Sequence, residues 1–138
     1  MSVADLLATH AADSICHLQT TGRSSGRPRT IEIWFATDGE RVYLLAGGRE
    51  RAHWVRNLMA DPQVRVRIGG RTLDARARVI EGEEREPIAR HLLAAKYQGW
   101  REGRPLSRWA AGSLPVELVP ERPQSGAEGI GPTRSGGQ

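Results

Sequence analysis

Cysteine occurs once in these 138 residues, at Cys16, and lysine once, at Lys96. A lone cysteine excludes an internal disulfide, and the expected compartment is the reducing cytoplasm. Cys16 sits in an apolar-leaning stretch, where it is expected to act as a small buried hydrophobe. No apolar run approaches the roughly 18 residues of a membrane-spanning helix, so no membrane insertion is expected. The opening MSVADLLATHAADS has neither a basic start nor a long apolar segment, which argues against a secretory signal. His10, His17, His53 and His91 show no paired ligand spacing, so no metal is expected. There is no GxSxG elbow and no Walker loop, because Gly22 and Gly26 are each followed by arginine. Serine hydrolase and nucleoside triphosphatase chemistry lose their support.

Arginine is what the chain has in quantity. It supplies nearly all the positive charge behind a net +4, which favours anionic partners. Guanidinium forks suit phosphates and carboxylates better than ammonium does; a general preference for arginine over lysine explains the count as well. The stretch TTGRSSGRPRT, residues 20–30, is less ambiguous. Gly22 and Gly26 let backbone amides face a concavity, Ser24 and Ser25 add hydroxyl donors, and Arg23, Arg27 and Arg29 add charge. Such a loop is either an anion-binding nest or a solvated turn.

Around it the pattern is mainly β. Ser2 caps a short helix carrying Val3, Leu6 and Leu7. Residues 14–20 alternate, with Cys16 and Leu18 on one face and His17 and Gln19 on the other. Residues 29–37 form a second strand, Asp38-Gly39 turns it, and residues 41–46 return. Gly47-Gly48 breaks that strand, and residues 51–60 form a helix stopped by Asp61-Pro62. Val64, Val66 and Ile68 alternate with Arg65 and Arg67. After Gly69-Gly70, Leu73, Ala75, Ala77 and Val79 alternate with Asp74, Arg76 and Arg78. A helix over residues 83–97 carries Ile88, Leu92 and Leu93 inward, and Pro87 shifts its first turn a residue or two later. A last strand spans residues 114–119. Six strands with two or three peripheral helices make one small barrel domain over residues 1–119. From Pro120 to residue 138 the composition predicts a flexible tail.

TTGRSSGRPRT, IEIWFATDG, LLAGG and HWVRNLMADPQVRVRIGG, taken in that order, resemble the deazaflavin-dependent nitroreductase family of split β-barrel proteins, relatives of pyridoxamine phosphate oxidase. The similarity covers residues 19–119. It implies a split barrel, a homodimer with cofactor sites near the subunit interface, and coenzyme F420, a deazaflavin whose tail carries a phosphate and glutamates. It places the family's tail-binding arginines on Arg23 and Arg29, its second-strand aromatic on Trp34, and the ring-lining segment on Ala46, Gly47 and Gly48. Trp54 and Asn57 fall on the helix positions facing the cofactor. Ser24 stands where many members have lysine, which shifts charge onto Arg27, Arg49 or Arg51. Glu32 stands where a neutral residue is common.

The implied reaction is hydride transfer from reduced F420 to a quinone, nitro compound or enone, followed by protonation of the product. Glu32, His53 and Tyr97 are the candidate proton donors. Each also has a structural explanation: an arginine partner such as Arg41 or Arg56 for Glu32, a helix surface for His53, helix-end packing for Tyr97. Trp54 is equally a packing residue. The alternatives are a flavin mononucleotide (FMN) protein of the same fold, a non-catalytic deazaflavin-binding protein, and a nucleic-acid-binding barrel using Arg65, Arg67, Arg76 and Arg78. The last lacks a run of exposed aromatics for base stacking.

Overall fold

The computed structural model describes residues 2–123 and 133–134. Helix α1 (Val3–His10) begins at a capping box in which Asp5 N–H donates to Ser2 Oγ (3.0 Å) and Ser2 N–H to Asp5 Oδ2 (3.4 Å). Strands β1 (Cys16–Thr21) and β2 (Pro28–Ile33) flank the Gly/Arg loop, and β3 (Ala36–Thr37) and β4 (Val42–Ala46) follow. A 3-10 turn at Arg49–Arg51 leads into α2 (His53–Ala60). Then come β5 (Gln63–Ile68), β6 (Arg71–Val79), α3 (Glu86–Gln98), α4 (Arg108–Gly112), β7 (Leu114–Pro123) and β8 (Thr133–Arg134). The strands form one sheet in the order β3-β4-β7-β6-β5-β1-β2-β8, antiparallel except for the β2–β8 pair.

One face of this sheet builds the main core. Cys16, Leu18, Val64, Val66, Leu73, Ala75, Val116 and Leu118 are all buried there, and Leu6 and Leu7 of α1 and Trp54, Val55 and Leu58 of α2 pack onto them. A second cluster lies under α3, where Ala89 and Leu93 cover Tyr43, Leu45 and Ile80. The alternation read in β1, β5 and β6 is the alternation observed. The turns at Asp38-Gly39 and Gly69-Gly70 are as predicted, with φ of 94° at Gly39 and 57° and 79° at Gly69 and Gly70.

Four expectations need correction. Eight strands are present among the described residues, not six. The predicted second strand breaks at Trp34-Phe35 because α3 side chains take the backbone of Phe35: Tyr97 Oη accepts from its N–H (3.1 Å) and Lys96 Nζ donates to its carbonyl (2.8 Å). Helix α3 starts at Glu86, later than read, which turns Ala89, Arg90, Leu93 and Ala94 inward and leaves Ile88 exposed. The last strand runs on to Pro123, pairing with Leu73. Of the expected tail, residues 120–123 and 133–134 lie in strands. Residues 124–132 and 135–138 are outside the described residues.

Tyr97 also gives a pH prediction. Its hydroxyl, bonded to Phe35 N and sharing its proton between Ser14 O (2.8 Å) and Phe35 O (3.0 Å), is pushed up to about 12 by burial. A folded value above the unfolded one of about 10 stabilises fully below the unfolded value and is lost as pH rises through the folded one. Lys96, lowered by the same burial, acts in the opposite sense until it has lost its proton. Urea unfolding should therefore show stability falling between about pH 10.5 and 12, and Tyr97→Phe should flatten that fall. An unchanged slope in the variant would assign the alkaline loss elsewhere, with Cys16, also pushed to about 12, the next group to remove.

Candidate functional site

The loop between β1 and β2 is closed on itself. Gly22 N–H donates to Arg27 O and Gly26 N–H to Gly22 O, both at 2.8 Å. Gly26 has φ of +70°, which L side chains avoid. A Cβ on Gly22 would come within 2.6 Å of Ser25 Oγ and 3.2 Å of Arg27 O, so a side chain there would displace the Ser25 hydroxyl and crowd the loop's closing carbonyl. Ser25 Oγ accepts from Arg27 N–H (3.1 Å) and from the Arg29 guanidinium (3.5 Å). The loop thus aims Arg29 with its own hydroxyl.

Opposite stands α2. Arg23 lies along it, with Nη1 donating to Asn57 Oδ1 (2.8 Å) and Nη2 to His53 Nδ1 (3.2 Å). Guanidinium has no acceptor, so His53 Nδ1 must accept, and the neutral ring carries its proton on Nε2. Between loop and helix is a half-open cleft of about 540 Å³. It is lined by Gly22, Arg23, Ser24 and Ser25, by Thr20, Arg29, Thr30 and Ile31, and by Arg51, Ala52, His53, Trp54 and Asn57. Three guanidiniums and no carboxylate line it. Among the described residues, Trp54 Nε1 in the cleft wall is a buried donor without a hydrogen-bond partner. The three guanidiniums fit a ligand carrying more than one negative charge.

The structure brings together Arg23, Ser24, Arg29, His53, Trp54 and Asn57 of the residues singled out above. The others stand apart. Arg27 is exposed and outside the lining. Ala46 is fully buried in the core, and Gly47 and Gly48 form the turn that leads into Arg49–Arg51. Trp34 stacks on Tyr97 (ring centroids 4.4 Å apart, 2° between planes), with Trp109 edge-on, against the cluster under α3. Glu32 does not point toward the cleft. It lies on the opposite face of β2 from Arg29 and Ile31, across from His17, whose Nε2 is 3.6 Å from its carboxylate. Neither arginine partner considered for it is correct: Arg41 binds Glu117 and Arg56 binds the Glu50 carbonyl.

Arg51 lines the cleft together with Ser24. Arg49, equally plausible by position, is turned away. Its backbone is left-handed (φ 52°), and its guanidinium grips both oxygens of Glu81 (2.7 Å each) and Gly112 O (2.7 Å). Among the described residues no cluster of three or more His, Cys, Asp or Glu could hold a metal ion, and no helix is long and apolar enough to cross a membrane. On the outer sheet face, Arg65 pairs with Asp74, and Arg78 with Glu117 and Glu83.

Residues 5–105 match the family model described as F420H(2)-dependent quinone reductase. The F420H(2)-dependent quinone reductase of Mycobacterium tuberculosis is 33% identical over 67 residues, which are 46% of this chain and 45% of that protein. The match thus spans about half the length of this relative. A solved F420-H2 dependent reductase is 30% identical, with a TM-score of 0.56 over 78% of this chain and 94% of that one. A Listeria innocua protein that carries the name of pyridoxamine 5'-phosphate oxidase shares the fold at 19% identity, with a TM-score of 0.66 over 88% of this chain and 95% of that one.

Proposed function

The chain belongs to the F420H(2)-dependent quinone reductase family and has its split-barrel fold, and from that premise we propose that it reduces a quinone-like acceptor at the expense of reduced coenzyme F420. One observation carries the proposal: Arg23, Arg29 and Arg51 converge on a single cleft that contains no carboxylate. Arg23 and Arg29 bind the phosphate and glutamyl tail, with Arg51 supplying the charge that a lysine at position 24 would give. Ser24 and Ser25 add neutral donors, and Gly22 lets the backbone come close. When bound, the reduced deazaflavin supplies the hydride. The chain orients the tail and keeps charge-assisted bonds at the cleft mouth.

An acceptor that takes up hydride must also take up a proton. Of the three side chains considered for this, only His53 lines the cleft; its neutral ring would become an imidazolate by giving up Nε2–H, so it donates a hydrogen bond to the oxygen of the reduced acceptor while water supplies the proton. Tyr97 is bonded to backbone on the far side of the core cluster, and Glu32 is on the other face of β2. His53→Ala, which removes the donor, should lower turnover by about a hundredfold, whereas Glu32→Gln should stay within about twofold of the parent. The reverse pattern would transfer the role to Glu32.

Titration of the purified protein with F420 and with FMN tests the cofactor, and a panel of quinones, nitro compounds and enones tests the acceptor. Tight F420 binding with quinone turnover is expected. FMN binding without F420 binding would overturn the proposal, since a single phosphate needs fewer than three arginines. The half-open cleft also favours a homodimer in which a second copy shields the cofactor ring. Sedimentation at micromolar concentration, with and without F420, checks it. A cytoplasmic setting keeps the buried free thiol of Cys16 reduced. Of the outer arginines, Arg65 and Arg78 are paired with carboxylates, which weighs against a nucleic-acid-binding face.

A further inference from the structure

Asn57 lies in the cleft wall yet is only 4% exposed, and its polar atoms are committed within the protein. Oδ1 accepts from the Arg23 backbone N–H (3.2 Å) and from Arg23 Nη1 (2.8 Å). Nδ2 donates to Oγ1 of Thr20 (3.2 Å), itself buried. A carboxamide oxygen has two acceptor sites, so Oδ1 is saturated. One side chain therefore ties the end of β1, the loop backbone and the loop's first guanidinium to α2. One turn earlier on the same helix, His53 takes Arg23 Nη2 at Nδ1 (3.2 Å) and offers its carbonyl to Nη1 at 3.5 Å. The guanidinium is laid against α2 before any anion arrives. Its Nε–H and one Nη2–H have no partner among these contacts.

We infer that Asn57 is a positioning residue: it acts on an anion in the cleft through Arg23, by fixing the loop and the direction of the guanidinium, and does not touch the anion. This rests on the proposed anion-binding role of the cleft. Its physical content is preorganisation, because a loop already held against α2 loses less freedom when the anion binds. A residue touching the anion and a residue acting through Arg23 both weaken binding when removed. They differ in whether the effect survives the loss of Arg23.

A double-mutant cycle on inorganic pyrophosphate, measured by calorimetry, separates them. Asn57→Ala should weaken pyrophosphate binding about tenfold with Arg23 present and less than twofold in an Arg23→Ala background. Equal losses in both backgrounds, no loss in either, or no binding by the parent each overturn the inference. If Asn57→Ala does not fold, Thr20→Val removes the anchor of Nδ2 with little change of shape and should show the same dependence on Arg23, at smaller amplitude. Parallel titration with F420 keeps the two claims apart. Pyrophosphate binding with the expected cycle but no F420 binding would remove the cofactor assignment alone. F420 binding with an additive cycle would remove the role of Asn57 alone.

Discussion

Arg29→Ala should weaken F420 binding by roughly ten- to a hundredfold, the equivalent of losing one charge-assisted hydrogen bond of about 1.5–3 kcal/mol. Pro28 fixes the backbone just before it, and Ser25 Oγ steadies its guanidinium at 3.5 Å. Among the described residues no other hydrogen bond or ion pair holds the side chain, so stability should stay within about 0.5 kcal/mol. Arg23→Ala should cost similar affinity, but it also leaves Asn57 Oδ1 short of a donor and should lower stability by about 1 kcal/mol. Arg29 is therefore the cleaner probe of binding, and the double variant should lose about two to four decades if the two contacts are independent. Raising salt should weaken the parent more than either variant, because the contacts are ionic and near the surface. A deazaflavin without the charged tail should be nearly indifferent to both substitutions. Full-length F420 binding to both variants as tightly as to the parent would show that the loop does not hold the tail.

What could be read from the sequence was local, and what could not was set by residues distant along the chain. The Gly/Arg loop is legible because its closing bonds, from Gly22 to Arg27 and from Gly26 to Gly22, lie within six residues. The tight turns are legible because glycine supplies the left-handed backbone they need. The break at Trp34-Phe35 is not, since its cause is Lys96 and Tyr97, some sixty residues later. Strand alternation puts Glu32 on the opposite face of β2 from Ile31 and Ile33 but does not say which face carries the cleft. Arg29 and Ile31 show that it opens on the other side. Arg49 and Arg51 look equivalent in sequence. The left-handed backbone at Arg49, held by Glu81 and Gly112, directs one away and leaves the other at the cleft.

That latch depends on a further arginine with no place in the cleft. Arg90 is 7% exposed on α3, where helical spacing alone suggested Ile88 as the inward neighbour. Its Nη1 donates to Ala110 O (2.9 Å) and Ser113 O (2.8 Å), and its Nε to Glu86 Oε2 (2.8 Å). It fastens α4 and the start of β7 to α3, and Gly112, whose carbonyl receives Arg49, lies between the two carbonyls it binds. Arg90→Ala leaves two buried carbonyls without that donor and leaves Glu86 with only the Gly82 N–H, and should cost about 3–5 kcal/mol. In a chain of this size the melting temperature should fall by roughly 10–17 °C. The Glu86 carboxyl is held below its usual range by the Gly82 N–H first and by Arg90 second. A depressed carboxylate stabilises above its unfolded value and loses that contribution as pH falls through the folded one. The variant should accordingly lose less stability on acidification below about pH 4 than the parent does. Arg90→Met restores volume but not the donors, and should recover only part of the loss. If Arg90→Ala instead costs under about 1 kcal/mol, water replaces the guanidinium at both carbonyls, and the buried network is not what holds α4 in place.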